Sequence, residues 1–258
     1  MSVPCDDPHI QVILIGIGGP TCSGKSTLAK QIIKCFQSGL LIHQDNFAQP
    51  IDNLPIHPVY SVLDADDAPT AIDWPRFITV LNHVKRTGRL PTDHAIYEDL
   101  NPSTEVLPSN DKIKEWQKAF AKAEADVMSR MGQKVVWVIL EGFLLFWDQA
   151  VVDAIDVPIL LRLPQDLLQC RRRQRQQVYI LPDGTIWEDP PHYWEQIQYP
   201  AYKRAHQHLY VDGDVENGRL SGEIDGLLLL DVKGMSMDYM LDASCQSVMD
   251  ALGHAFPS

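Results

Sequence analysis

Apolar positions follow two rhythms along this chain, and the two take turns. Short unbroken apolar runs occur at Gln11 to Ile17, Gly39 to His43, Val135 to Leu140, Pro158 to Leu163 and Gly226 to Leu230. Continuous rather than alternating apolar character predicts strands covered on both faces, as in a parallel sheet. Between these runs the apolar residues fall at steps of three and four. Phe77, Leu81 and Val84 follow the helix-starting Asp73-Trp74-Pro75, and Gly88 stops them. Ile113, Trp116, Phe120, Ala123 and Val127 form one stripe within Asp111 to Met131, and that stripe reads as core. Further helices are predicted at Lys25 to Phe36, over the basic stretch Gln165 to Gln177, from Asp189-Pro190-Pro191 to a stop or bend at Pro200, and over Asp238 to Phe256. Strands separated by helices make βαβ units, so the expected fold is α/β, a parallel sheet with helices on both faces. Ligands of such sheets bind beyond the carboxyl ends of the strands.

The 258 residues fit a single domain. Residues 48–133 read as an insertion after the second strand, irregular and proline-rich at first (Pro50, Pro55, Pro58, Pro69) and then helical. Residues 171–190 read as an arginine-bearing lid, irregular from Val178 to Glu188, and 219–258 as a C-terminal extension. A net charge of −12 argues against nucleic acid as a partner. No apolar run reaches the ~18 residues of a membrane span, and the N-terminus lacks the layout of a secretory signal. The five scattered cysteines, without a C-x-x-C pair, suggest reduced thiols and hence a cytoplasmic protein, with the nucleus as a further compartment. A monomer or weak homodimer is expected.

The most specific chemical signal is Gly19-Pro20-Thr21-Cys22-Ser23-Gly24-Lys25-Ser26, a P-loop of the form G-x-x-x-x-G-K-[ST], followed by Thr27. It lies between a predicted strand and a predicted helix, as that loop requires. Its backbone N–H groups and the helix N-terminus cradle a polyphosphate. Lys25 reaches the β and γ phosphates, and the Ser26 hydroxyl ligates Mg²⁺. Cys22 is a spacer in this reading. The fold is thus expected to be of the P-loop NTPase type.

Phosphoryl transfer further needs a group to orient the nucleophile and cations for the developing charge. Asp45, just past the second strand, suits a general base or a magnesium ligand, with a turn cap as the structural alternative. Glu141 ends the third strand and suits a metal-side carboxylate. The run Arg171-Arg172-Arg173-Gln174-Arg175 in an acidic chain suggests an anion site rather than a merely solvated face, and Arg171, Arg172 and Arg175 share one helical side. Asp64, Asp66 and Asp67 form an acidic knot, which on composition alone reads as an exposed loop.

Taken together, G-P-T-C-S-G-K-S-T-L-A-K, I-H-Q-D-N-F, L-E-G-F-L-L-F and R-R-R-Q-R resemble the nicotinamide riboside kinases, the fungal ones in particular, and through them the uridine kinases. Trp187-Glu188-Asp189-Pro190-Pro191-His192-Tyr193, Tyr202 to His206 and Val211 to Glu216 add to the likeness. It spans residues 11 to 218 and leaves the last forty without a family signal. The resemblance implies ATP- and Mg²⁺-dependent phosphorylation of the 5′-hydroxyl of nicotinamide riboside. It implies Asp45 as base near the metal, with Asn46 and Phe47 beside the substrate. Asp67 would hold the ribose hydroxyls, and Arg171 and Arg175 would face ATP. Arg172 would reach the substrate, and Tyr179 would lie against the nicotinamide ring. The family's Q-D-D-F reads Gln44-Asp45-Asn46-Phe47, so an amide replaces the second acid. Asp66 stands where relatives carry an aromatic residue and would meet the pyridinium charge itself, or Tyr60 or Tyr97 would supply the ring. A shift of one residue would exchange Arg172 and Arg173.

Three rivals stay open: another nucleoside or small-molecule kinase of the uridine kinase type, a GTP-binding switch and an inactive nucleotide-binding module. The D-x-x-G imitation at Asp231-Val232-Lys233-Gly234 comes too late in the chain for a switch, and no N-K-x-D motif accompanies it. Retention of Lys25, Ser26, Asp45 and Glu141 argues against inactivity.

Overall fold

A computed structural model describes residues 9–92, 106–174 and 186–256, together with the backbone of 178–180. In chain order its elements are β1 (His9–Gly18), α1 (Lys25–Ile32), β2 (Gly39–His43), α2 (Ala68–Ala71), α3 (Trp74–Thr87), α4 (Asn110–Met131), β3 (Gln133–Gly142), α5 (Gln149–Ala154), β4 (Val157–Arg162), α6 (Gln165–Gln174), β5 (Val178–Ile180), β6 (Ile186–Glu188), α7 (Tyr199–His206), β7 (Leu228–Asp231) and α8 (Met237–Ala255). Five strands form one sheet in the order β2-β3-β1-β4-β7, and every neighbouring pair is parallel. Helices α1, α4 and α8 pack together on one face, while α3 and α5 meet on the other. The expected doubly covered parallel sheet is therefore the observed one, and the inner stretches 12–17 of β1 and 137–140 of β3 are buried and apolar but for glycine because both faces are covered.

The helix boundaries follow from their caps. Asp73 accepts from the Arg76 N–H and Gly88 closes α3 in the left-handed region. Ser109 caps α4 and Gly132 ends it the same way. The α4 stripe is core: Phe120 and Val127 are buried, and Ile113, Trp116 and Ala123 pack against the cluster. Trp137 of β3 stacks on Phe36 at 4.6 Å and meets Phe120 edge-on at 5.2 Å. The segment without a family signal is integral to this core. It supplies the edge strand β7, and α8 buries Leu241, Cys245, Val248 and Leu252 while Asp242 accepts from Trp116 Nε1 at 2.8 Å.

Several local expectations change. The segment read as irregular from Val178 to Glu188 holds two short antiparallel strands, β5 and β6. The short helices α2 and α5 carry too few turns to leave a periodic signal. Pro200 does not end a helix. A π-helical turn over Trp194–Gln198 precedes it, and the proline sits in the first turn of α7. The wider π turn relieves the clash a proline ring would have with the carbonyl four residues back.

Candidate active site

The P-loop leaves β1 at Gly18 and enters α1 at Lys25. Gly19 has φ 142°, and a Cβ there would sit 2.6 Å from the Leu161 carbonyl oxygen, so only glycine lets the loop run this close to β4. Gly24, at φ 102°, precedes α1 and no side chain caps that helix, which leaves its first N–H groups facing the loop. Cys22 is a non-glycine residue at φ 61°. Lys25 is buried, and its Nζ donates to Pro20 O at 2.9 Å, folding back across the loop.

Strand register brings the acids to the same rim. His43 of β2 pairs with Glu141 of β3, and Glu141 pairs with Ile17 of β1. Asp45 lies two residues past His43 and Gly19 two residues past Ile17, so both leave the sheet at its carboxyl edge. Two strand spacings of ~4.8 Å put β2 about 10 Å from β1 across β3. Asp45 is exposed, in a 3-10 turn over Gln44–Phe47. That turn is held firmly. Gln44 is fully buried and its Oε1 accepts from Leu144 N–H at 2.8 Å. Gln44 presses on Gly142 so closely that a Cβ at 142 would overlap it. Arg76 donates to Asn46 O at 2.6 Å. Phe47 is wholly buried, 4.6 Å from Phe77 and under the Arg76 guanidinium. Its ring anchors the turn from within the core rather than facing a ligand, because it is the apolar residue of the turn.

Glu141 is buried, and its Oε1 lies 2.7 Å from His43 Nδ1. Ser26 also hydrogen-bonds to this carboxylate and Lys25 adds its charge nearby. Burial pushes the Glu141 carboxyl up, but His43, Lys25 and Ser26 together outweigh it and hold the group below the ordinary glutamate range. Ser26 and Glu141, with Asp45 from the same rim, are the hard oxygen donors here that could hold a small divalent cation.

The arginines approach from α6. Arg171 donates to the Cys22 carbonyl at 3.1 Å. Arg172 is buried, reaches Thr21 Oγ1 at 3.3 Å, and is gripped by both carboxylate oxygens of Asp189. Trp187 Nε1 donates to the same Asp189 at 2.9 Å. Arg173 turns outward to Glu195 at 3.4 Å. Register on the helix thus separates Arg172, which meets the loop at Thr21, from Arg173, which does not. Arg175 and the side chain of Tyr179 lie outside the described residues, as does Tyr97.

The acidic knot is not an exposed loop. Asp64 and Asp66 are buried, and Asp64 Oδ1 accepts from the N–H groups of Asp66 and Asp67 at 3.1 and 3.0 Å, which turns the chain. Asp66 accepts from Gln198 Nε2 at 3.0 Å and is hydrogen-bonded by Tyr193. Burial raises its pKa, against the pull of Arg172, Gln198 and Tyr193. Asp67 is half-buried at the start of α2, and Thr70 donates to it at 3.0 Å. Tyr60 is largely exposed and stacks on His57 at 4.9 Å, on the outside of the insertion.

Sequence reasoning missed His43, Gln198 and the true role of Asp189. Asp189 had the look of a helix start, yet its side chain is buried against Arg172. A strand-end histidine level with a strand-end glutamate was the one available hint for His43, and register alone turns that hint into a contact.

A parallel sheet with a P-loop at its carboxyl edge, acids beside it and arginines closing from the next helix defines a P-loop phosphotransferase. No family model matches the chain. It is 30% identical over 243 residues to the nicotinamide riboside kinase of Schizosaccharomyces pombe, covering 94% of this chain and 98% of that one. It is 31% identical over 206 residues to the nicotinamide riboside kinase of Saccharomyces cerevisiae, covering 80% and 82%. Nicotinamide riboside kinase 2 of Mus musculus is 26% identical over 206 residues, covering 78% and 83%. The chain belongs to the nicotinamide riboside kinase family. Among the described residues, no helix is long and apolar enough to cross a membrane.

Proposed function

We propose that this site phosphorylates the 5′-hydroxyl of nicotinamide riboside with ATP and Mg²⁺, giving nicotinamide mononucleotide. The chain is a kinase of that family and acts on a small nucleoside, so the proposal concerns which residues perform the transfer. The observation that carries it is the convergence on one loop. Arg171 and Arg172 reach Cys22 and Thr21 from one side, and Asp45 and Glu141 leave the sheet at the same rim.

The P-loop N–H groups and Lys25 bind the nucleotide phosphates. Ser26, Glu141 and Asp45 would hold Mg²⁺, which when bound neutralises phosphate charge. Asp45, exposed just past the carboxyl end of β2, takes the proton of the 5′-hydroxyl as that oxygen attacks the γ-phosphorus in line. Arg171 and Arg172 stabilise charge on the transferred group. Asp67 orients the ribose hydroxyls, and Asp66 puts a negative potential near the cationic ring.

Product analysis tests this directly. The protein is incubated with ATP-Mg and, in parallel, nicotinamide riboside, nicotinic acid riboside and uridine, and the products are separated by chromatography with mass detection. Nicotinamide mononucleotide and ADP in equal amounts are expected. Faster turnover of uridine would reassign the enzyme to the uridine kinase type.

A further inference from the structure

We propose that His43 is a positioning residue for the metal-side carboxylate: it fixes the Glu141 side chain from the neighbouring strand and thereby sets how tightly the site holds a divalent cation. The proposal rests on the reading of Glu141 as a metal-side group.

His43 ends β2 and stands directly beside Glu141 in the sheet register. Nδ1 and Oε1 are 2.7 Å apart, with side chains 15% and 6% exposed. A carboxylate this buried needs donors, since an unmet buried anion is costly. The donors come from different directions. Ser26 hydrogen-bonds to it from the P-loop side and His43 from across the strands. With Glu141 ionised, the His43 ring donates through Nδ1–H, and this fixes the tautomer. The carboxylate is thereby held in one orientation before any cation arrives. Without His43, Glu141 keeps its burial and loses a donor, so it can rotate toward Lys25, and that change weakens it as a ligand. Partners of metal-ligating groups typically matter by about 10–100-fold in metal affinity. The same contact ties the β2 end, which carries Asp45 two residues on, to the β3 end.

The test compares wild type, His43→Ala and His43→Asn. Asparagine is the informative replacement, because its Nδ2 is attached to Cγ as Nδ1 is in histidine and can donate from nearly the same point. Binding of Mn²⁺ in the presence of a non-hydrolysable ATP analogue is followed by electron paramagnetic resonance, alongside thermal unfolding and steady-state kinetics. His43→Ala is expected to weaken Mn²⁺ binding and raise the Mg²⁺ concentration for half-maximal rate by about tenfold or more. The nucleoside KM should hold, and His43→Asn should recover most of the loss. A lower melting temperature in His43→Ala with unchanged Mn²⁺ binding would overturn the proposal, leaving His43 a purely structural residue. If His43→Ala does not fold, a His43→Asn protein that folds but binds Mn²⁺ as weakly as a nucleotide-site knockout (Lys25→Ala with Ser26→Ala) would overturn it as well. Failure of the functional reading is seen separately, as wild-type protein that binds Mn²⁺ with nucleotide but does not phosphorylate nicotinamide riboside.

Discussion

Asp189 grips Arg172 through both carboxylate oxygens, at 2.5 and 2.6 Å, and so holds its remaining nitrogen toward Thr21 of the P-loop. Both side chains are buried, at 5% and 0% exposure. The ion pair links the segment just past β6 to the P-loop, and it explains why one arginine of the run is inside while its neighbour is in solvent.

Breaking that pair from one side should be severe. Asp189→Ala leaves a buried guanidinium without its anion and is expected to cost about 3–5 kcal/mol. It should also raise the KM for ATP by about tenfold, because Arg172 is no longer aimed at the loop. Urea unfolding of Asp189→Ala, Arg172→Ala and the double variant measures the coupling. The double variant should be little worse than either single one. Additive losses would mean that the two residues act independently.

Asp45 is exposed, so its replacement should spare the fold. Asp45→Ala is expected to bind ATP within a few-fold of wild type by calorimetry. Phosphoryl transfer should fall by about 100-fold or more, the scale of a lost general base. Near-normal turnover would remove Asp45 from the mechanism.

Asp66 should reveal a conflict between stability and function. Its pKa is raised by burial, so the charged form is disfavoured in the folded protein. The cost is absent at low pH, where the group is protonated in both states, builds as pH rises above the ordinary aspartate range, and is complete above the folded pKa. Asp66→Asn removes that cost and can still accept from Gln198. We expect a melting temperature higher by about 2–4 °C at pH 8, corresponding to ~1 kcal/mol, with the gain shrinking as pH falls toward the ordinary aspartate range. The nucleoside KM should rise while that for ATP stays. A lower melting temperature at pH 8 would show that attraction to Arg172 outweighs burial.

His206 should shape the acid limb of stability. It is fully buried in α7, its ring stacks on Tyr202 at 4.1 Å, and Nδ1 lies 2.8 Å from the Tyr202 carbonyl, to which it donates. Burial is the main cause that lowers its pKa to about 4, with His208 and Lys25 adding to the effect. The unfolded chain then binds a proton that the folded one refuses, so stability declines as pH falls from about 6.5 to about 4 and levels below. The effect is at most about 3 kcal/mol. His206→Leu should flatten that part of the curve in urea unfolding across pH 4 to 8. An unchanged slope would assign the acid sensitivity to the carboxylates.

Much of the fold was legible because its signals are local. Strand runs such as Val135 to Leu140 are apolar throughout since both faces are covered, and Asp73 with Gly88 marks α3 through cap chemistry that acts within one turn. The P-loop is likewise a contiguous stretch whose function lies in its backbone, and Lys25, Ser26, Asp45 and Glu141 could be picked out as strand-end and loop residues.

What the sequence could not specify depends on contacts between distant segments. Hydrophobic periodicity predicts that a residue is covered, not by what. Only the register of β2 on β3 makes His43 a partner of Glu141, and only the placement of Asp189 and Glu195 beside α6 sends Arg172 inward and Arg173 outward. Asp66 looked like a solvated loop acid until the π turn before α7 brought Gln198 against it. The sheet, the phosphate loop and the class of chemistry are written in backbone preference and burial pattern, which act locally along the chain. Which charges face one another is set by the fold, because electrostatic energy depends on distances that no local pattern encodes.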